Sequence, residues 1–165
     1  MLYKNFIFSI LLTSTLFSQI PIDIALTIGY NKFDDPEFLR ENRRFYGVRV
    51  STQPVKNYRF QLGYEKATDV NCQGLNLTRG YVNGIIEYKE STLLEIKPYI
   101  LGTVGYENSN IHRFKPSQIF VGAGVGIRKE LPKNFNSFIE TRILKKLESH
   151  DTDIITTLGI GYQVK

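Results

Sequence analysis

The sequence predicts an all-β protein, an eight-stranded antiparallel up-and-down transmembrane β-barrel preceded by a signal peptide. Three observations predict this fold. The chain begins with a short apolar run, and about eight later segments alternate apolar and polar residues with the period of a strand. No segment shows a sustained 3.6-residue period bounded by helix caps. Tyr (10) and Phe (11) are also abundant, and Gly (13) is spread through the chain.

Residues 1–18 have the composition of a secretory signal peptide. Lys4 precedes an uncharged, mostly apolar run from Phe6 to Phe17, and a small residue, Ser18, precedes Gln19. A run of about a dozen residues is too short to cross a hydrocarbon layer of roughly 30 Å as a helix. We therefore expect cleavage after Ser18 and a single barrel domain over residues 19–165.

Eight segments are predicted to be strands because apolar and polar residues alternate along them. In chain order they are Ile22–Phe33, Phe45–Thr52, Tyr58–Glu65, Thr78–Tyr88, Ile96–Glu107, Ile119–Arg128, Ser137–Lys146 and Ile154–Val164. The first is typical: Leu26 and Ile28 share one face, and Asp23 and Thr27 share the other.

The alternation is less regular in three strands. In the fourth, Tyr81 and Ile85 fall on the polar face, and in the seventh Phe138 and Leu144 do the same. The fifth strand is apolar on both faces over much of its length, with Pro98 near its beginning, where a missing N–H does least harm. The sixth strand is regular and sets aliphatic residues against a row of glycines at 122, 124 and 126.

The connections between strands tend to alternate in length. Those predicted to be long are residues 34–44, 66–77 and 108–117, and the shorter ones are 53–57, 89–95 and 129–136. The segment 34–44 is too polar to be predicted as a strand. Long loops on one side and short turns on the other, with both termini on the short-turn side, are the plan of a bacterial outer-membrane barrel.

Tyrosines cluster near both ends of the predicted strands, on the apolar face. Tyrosine suits the level of lipid headgroups because its ring is apolar while its hydroxyl stays hydrated. We predict two aromatic girdles. Near the long loops lie Tyr30, Tyr46, Tyr64 and Tyr106, and near the short turns lie Tyr58, Tyr88 and Tyr162.

Charged residues occur within the strands, on the face opposite the aliphatic residues. In an eight-stranded barrel they would fill a narrow lumen, where opposite charges must pair because a lone buried charge is costly. The glycine row would face inward and leave room for Arg and Glu side chains of neighbouring strands. The predicted lumen charge network is Arg49, Arg59, Glu87, Lys97, Glu140 and Arg142, with Asp153 as a further acid.

A soluble, lipocalin-like carrier of an apolar ligand is an alternative, because periodicity alone does not say which face points inward. Such a barrel would hold the aliphatic residues inside and the charges outside. The chain has no Trp and only one cysteine, Cys72, so it cannot form an intramolecular disulfide. These features, and tyrosines rather than charges at the ends of the apolar faces, favour the membrane barrel.

The end of the chain supports a family resemblance. Thr157, Gly159, Tyr162 and Val164 stand in a pattern that resembles the C-terminal assembly signal of outer-membrane proteins. Together with the signal peptide and the eight segments, the chain resembles the small outer-membrane β-barrels of the OmpA transmembrane-domain and OmpX type. The resemblance implies a Gram-negative outer-membrane location, contact with outer-membrane lipids and lipopolysaccharide, and insertion by the barrel-assembly machinery through the last strand.

The resemblance further implies a role in envelope integrity, surface adhesion or defence, and the loops are the expected place for a specific partner. The segments 34–44 and 108–117 carry charged and aromatic residues that suit a surface partner. The net charge is +5, and the basic residues are scattered among loops and acidic residues instead of being gathered on one face. This distribution argues against nucleic-acid binding.

No enzyme is expected. An enzyme that modifies lipid A is a lesser alternative, and it would need a histidine with a nearby serine and acid. His112 lies in a predicted loop, and the adjacent residues Ser149, His150 and Asp151 would point in different directions. No metal-ligand spacing is present, and the glycine row lies within a strand rather than in a phosphate-binding loop, so we expect no metal and no cofactor.

Overall fold

The computed structural model describes residues 22–33, 42–52, 55–68, 76–88, 95–109 and 117–164. The predicted signal peptide, Cys72 and His112 lie outside these residues. Among the described residues, no helix is long and apolar enough to cross a membrane.

Eight antiparallel strands form a closed barrel, in which each strand pairs with its neighbours in sequence and the last pairs with the first. This confirms the predicted all-β, up-and-down fold. The strands are β1 (Ile22–Phe33), β2 (Asn42–Thr52), β3 (Tyr58–Thr68), β4 (Asn76–Glu87), β5 (Ile96–Ser109), β6 (Ser117–Leu131), β7 (Phe135–Lys146) and β8 (Thr152–Val164).

The barrel has two distinct ends. Ile22 and Val164 are paired with each other at one end, which we call the terminal end. The connections that follow β1, β3, β5 and β7 lie at the other end, which we call the loop end.

Several strands extend further toward the loop end than the sequence predicts. Asn42 to Arg44, assigned to a loop because they are polar, continue β2, and Arg44 pairs with Tyr30. Backbone pairing does not require apolar side chains, so the ladder continues past the apolar band. As a result the connections 34–41, 69–75 and 110–116 are shorter than predicted, and 88–95 at the terminal end is as long as 34–41.

The apolar face of every strand points outward. On β1, Leu26 is 69% exposed, whereas the next residue, Thr27, is 7% exposed. Val125 on β6 and Ile160 on β8 are similarly exposed. The barrel therefore has an aliphatic outer wall and a polar interior, which is the reverse of a soluble carrier.

The residues that break the alternation pack inside the barrel. Tyr81 and Leu144, which fall on the polar face of their strands, form a buried cluster with Phe120 and Ile155. Ile85 packs in a second buried cluster with two residues of β5, Tyr99 and Leu101. The irregular positions in the sequence therefore mark apolar contacts across the interior.

The glycine row of β6 faces inward, as predicted. A Cβ atom on Gly124 would lie 2.5 Å from the carbonyl oxygen of Thr141 and 2.9 Å from Cγ of Arg142. The space beside Gly124 is thus taken by a charged side chain, as expected. The neighbours at Gly122 and Gly126 differ from the expectation, because they include Leu144 and Tyr99 rather than further charges.

This packing predicts different effects on stability for substitutions at two glycines. Gly124→Ala should lower the free energy of unfolding by about 1–3 kcal/mol, because the added methyl group overpacks the interior. Gly102→Ala is the matched control: a Cβ there meets no atom within 4 Å, so stability should stay within about 1 kcal/mol of the parent. Urea unfolding of the two variants in detergent micelles measures both values, and equal effects would contradict the inward placement of Gly124.

Candidate functional site

The most distinctive feature of the structure is the charged interior of the barrel. Twelve inward side chains form three groups of four, which we call quartets, stacked along the barrel from one end to the other. Each quartet contains two cations and two carboxylates, and each cation contacts both carboxylates. Every quartet is therefore a closed, electrically neutral ring.

The terminal quartet lies nearest the chain ends and joins β1, β3, β4 and β6. Arg59 binds Asp23 and places its Nε 2.9 Å from Oε1 of Glu87. Arg128 completes the ring, with its Nη1 3.3 Å from Oδ2 of Asp23 and 3.5 Å from Oε1 of Glu87. The side chain of Asp23 is buried as part of this quartet.

The middle quartet joins β2, β3 and β7. Nη1 of Arg49 lies 2.8 Å from Oε1 of Glu140, and its Nη2 lies 3.2 Å from Oε1 of Glu65. Nη2 of Arg142 lies 2.6 Å from Oε1 of Glu65, and its Nε lies 3.2 Å from Oε1 of Glu140. All four residues are at most 2% exposed.

The loop-end quartet joins β4, β5, β7 and β8. Arg79 binds Glu107 at 2.6 Å and Asp153 at 2.5 Å. Nζ of Lys146 lies 3.2 Å from Glu107 and 3.6 Å from Asp153. Gln118 adds a hydrogen bond by donating from Nε2 to Oε1 of Glu107 at 3.1 Å.

Aromatic side chains separate the quartets and bind their charges. Tyr81 donates a hydrogen bond from its hydroxyl to Glu65 (2.6 Å), and Tyr99 donates one to Glu140 (2.9 Å). The guanidinium carbon of Arg142 lies 4.6 Å from the centre of the Tyr81 ring, within the range of a cation–π contact. Further Arg–ring contacts join Arg49 to Tyr81 and Phe138, Arg79 to Phe45 and Phe120, and Arg128 to Phe138.

The pairing explains how so many charges are tolerated away from water. Burying one charge costs several kcal/mol, and this cost is offset only when good geometry and further hydrogen bonds satisfy the group. The quartets meet the first part of that requirement, because each cation contacts two acids. They do not meet the second part in full, since buried quartet atoms such as Oε2 of Glu65 and Nε of Arg128 have no hydrogen-bond partner. The interior is therefore a filled, specifically paired core rather than an open polar channel.

Five of the six charged residues predicted for the lumen lie in quartets, and the sixth does not. Lys97 pairs instead with Glu130 at 2.5 Å, and the two side chains are 25% and 63% exposed. Lys97 follows the inward alternation of β5, but it stands at the end of the strand, where the barrel opens. The sequence prediction that it belongs to the buried network is therefore wrong.

The sequence prediction did not include several quartet members that alternation could have found. Each lies on the inward face of its strand, but several of these strands carry apolar residues on that face as well, which obscured the pattern. The members missed are Asp23, Glu65, Arg79, Glu107, Arg128 and Lys146; Asp153 was anticipated.

The seven tyrosines of the predicted girdles all lie on the outer wall and are about half exposed. The loop-end tyrosines occupy β1, β2, β3 and β5, and those toward the terminal end occupy β3, β8 and the residue that follows β4. Phe135 joins the terminal set, because its ring packs edge-on against that of Tyr162 with the ring centres 5.1 Å apart.

The candidate catalytic residues that the structure describes do not come together. The hydroxyl of Ser149 donates a hydrogen bond to Oε1 of Gln118 at 3.1 Å, and His150 occupies an exposed turn with φ of 60°. The backbone carbonyl of Asp151 accepts a hydrogen bond from Lys146. Within the described ranges, no group of three or more His, Cys, Asp or Glu side chains is placed to hold a metal ion.

The middle quartet predicts strong coupling between its members. Glu65→Gln or Arg142→Gln alone leaves an uncompensated buried charge and should cost about 3–5 kcal/mol of unfolding free energy. The double variant restores neutrality, so its cost should be well below the sum of the two single costs.

Urea unfolding in detergent micelles measures this double-mutant cycle. Lys97→Gln is the control, because an exposed pair contributes about 0–1 kcal/mol. Additive single costs would show that the ring does not act as a unit.

No protein-family model matches the sequence, and no curated protein matches it. Solved structures do match. The N-terminal β-barrel domain of Pseudomonas aeruginosa OprF is 15% identical, with a TM-score of 0.66, and the match covers 87% of this chain and 97% of that one. Neisserial surface protein A is 12% identical, with a TM-score of 0.67, covering 86% of this chain and 96% of that one.

A third similar structure is Ail, the attachment invasion locus protein of Yersinia pestis. It is 12% identical, with a TM-score of 0.57, and the match covers 88% of this chain and 99% of that one. Ail has also been solved in complex with the heparin analogue sucrose octasulfate. These similarities confirm the resemblance for the fold: the chain has the fold of the small eight-stranded outer-membrane β-barrels.

Proposed function

We propose that this protein is an outer-membrane barrel of a Gram-negative bacterium, with a structural or surface-interaction role carried by the loop end. The observation that carries this proposal is the inverted distribution of side chains, with aliphatic residues outside and paired charges inside. The proposed role is non-enzymatic and belongs to envelope integrity, adhesion or defence.

A lipid environment explains the outer wall. Soluble proteins rarely expose one continuous apolar surface, whereas here every strand presents exposed Leu, Ile, Val, Phe or Tyr side chains. A closed barrel also satisfies all strand backbone groups without water, which is the condition for crossing a bilayer with strands. The tyrosines at the two ends of this wall match the depth of lipid headgroups.

Because side chains fill the interior, we place the proposed interaction with a partner at the loop end of the barrel. Among the described residues, buried and paired charged side chains occupy the lumen at three levels. The connections between strands are therefore the segments that we expect to meet a partner. The segment 112–116 reads His-Arg-Phe-Lys-Pro and the segment 34–44 carries both charges. We propose that these segments contact an anionic surface partner; the complex of Ail with a sulfated sugar analogue is a precedent on the same fold.

We also propose that the protein is exported across the inner membrane and then inserted into the outer membrane. The signal peptide would be removed, and β8 would enter the membrane through the barrel-assembly machinery. β8 pairs with β1 from Asp153 to Val164 and so closes the barrel. The proposed assembly residues Tyr162 and Val164 lie on the outer face of β8, where machinery in the membrane could reach them.

Fractionation of cells that express the full chain tests the location. The protein should sediment with outer membranes, resist extraction by sarkosyl and change its gel mobility on heating, because a closed barrel withstands detergent without heat. A periplasmic maltose-binding protein serves as the soluble control. Recovery of the folded protein in the soluble periplasmic fraction would contradict the proposal.

A further inference from the structure

The charged residues of the outer wall are all of one sign. Among the described strand side chains that point outward there is no acid, whereas four cations are present and exposed: Arg44, Lys66, Lys145 and Lys129. The strand acids instead lie in the quartets or, as Glu130, pair at the terminal rim. The charge on the described part of the outer wall is therefore positive.

Two of these cations stand side by side, and we call them the basic wall pair: Arg44 on β2 and Lys66 on β3. Arg44 is the cross-strand partner of Tyr30 and Thr68, and Lys66 is the partner of Tyr46. The two residues are therefore diagonal neighbours on adjacent strands, and the Cα atoms of such neighbours are about 7–8 Å apart.

The basic wall pair lies at a definite level of the barrel. Each cation lies two residues from a girdle tyrosine of its own strand, on the side toward the loop end: Arg44 precedes Tyr46, and Lys66 follows Tyr64. Two strand residues span about 7 Å, so the cations lie just beyond the tyrosine rings toward the loop end. That is the level at which lipid headgroups would meet the wall.

Neither cation of the pair has an acid partner among the described residues. In the interior, by contrast, every cation of a quartet contacts two carboxylates. Two neighbouring cations repel each other unless an anion lies between them. A phosphate group would supply that anion, since Arg binds phosphate through paired hydrogen bonds and Lys binds it as a point charge.

We propose that the basic wall pair binds a phosphate of a glycolipid headgroup in the membrane leaflet at the loop end. The acyl chains of this lipid lie along the aliphatic wall of β1 to β3, with Tyr30, Tyr46 and Tyr64 at the boundary between chain and headgroup. The inference rests on the proposed outer-membrane location, in which the loop-end leaflet contains lipopolysaccharide.

Lipid A is the probe that tests the site. The purified protein is placed in phosphatidylcholine nanodiscs that contain lipid A, dephosphorylated lipid A or phosphatidylglycerol, and bound lipid is counted by native mass spectrometry after release from the disc. Lipid A should stay bound, and the other two should not. Inorganic phosphate, added as a competitor, should displace little lipid A because it lacks acyl chains.

Variants locate the site on the wall. Arg44→Gln combined with Lys66→Gln should weaken lipid A binding about 30-fold, since each basic residue near an anionic lipid surface contributes about fivefold. Lys145→Gln is the matched control, because it removes an outward cation at the same end of a distant strand and should leave binding unchanged. The charge-preserving exchange Arg44→Lys with Lys66→Arg should keep most of the affinity.

Three results would overturn the inference: equal binding by the double variant, equal binding of dephosphorylated lipid A, or equal binding of phosphatidylglycerol. The first would mean that the cations serve another partner, such as the acidic residues of segment 34–41. If the protein enters the nanodisc as a heat-modifiable barrel but binds no lipid A, only this inference fails. If it does not enter the bilayer at all, the proposed function fails.

Discussion

The pairing of interior charge is the constraint on which this barrel depends. Twelve charged side chains share a narrow interior, and each quartet draws its members from three or four different strands. The three quartets together draw on all eight strands, so all of them can form only when the barrel is closed and every strand is in register. The ion pairs therefore fix the register that backbone hydrogen bonds alone would leave open to slippage, because a shift of one residue would turn every charge toward the outer wall.

The aromatic and glycine residues of the interior follow from the same constraint. Three charged levels in one lumen need apolar layers between them, and Tyr81, Phe120 and Phe138 supply these layers while their faces bind guanidinium groups. Long Arg side chains also need space on the neighbouring strand. Gly124 provides it by presenting only backbone to Arg142.

Local patterns predicted the fold and the faces of the strands, because strand periodicity is a property of adjacent residues. The quartets depend on residues as far apart as Asp23 and Arg128, and no local pattern states which charges meet. Lys97 shows the limit of local patterns. Its place on the inward face of β5 follows from alternation, but the level at which it lies along the barrel decides that it pairs with Glu130. That level depends on the register of the strands. The strand extension at Asn42 to Arg44 is not predictable from polarity, because polar residues are typical of loops and also occur in strands beyond the apolar band.

In the proposed outer-membrane location, the aliphatic wall faces lipid and the mixed interior does not. Methyl relaxation by a lipid with a nitroxide on its acyl chain measures this on the unmodified protein in nanodiscs. We expect strong broadening of the methyl signals of Leu26, Val125 and Leu158, which are exposed on the outer wall. We expect weak broadening of the buried methyl groups of Leu101, Leu144 and Ile155. Equal broadening of the two sets, or stronger broadening of the interior set, would contradict these expectations.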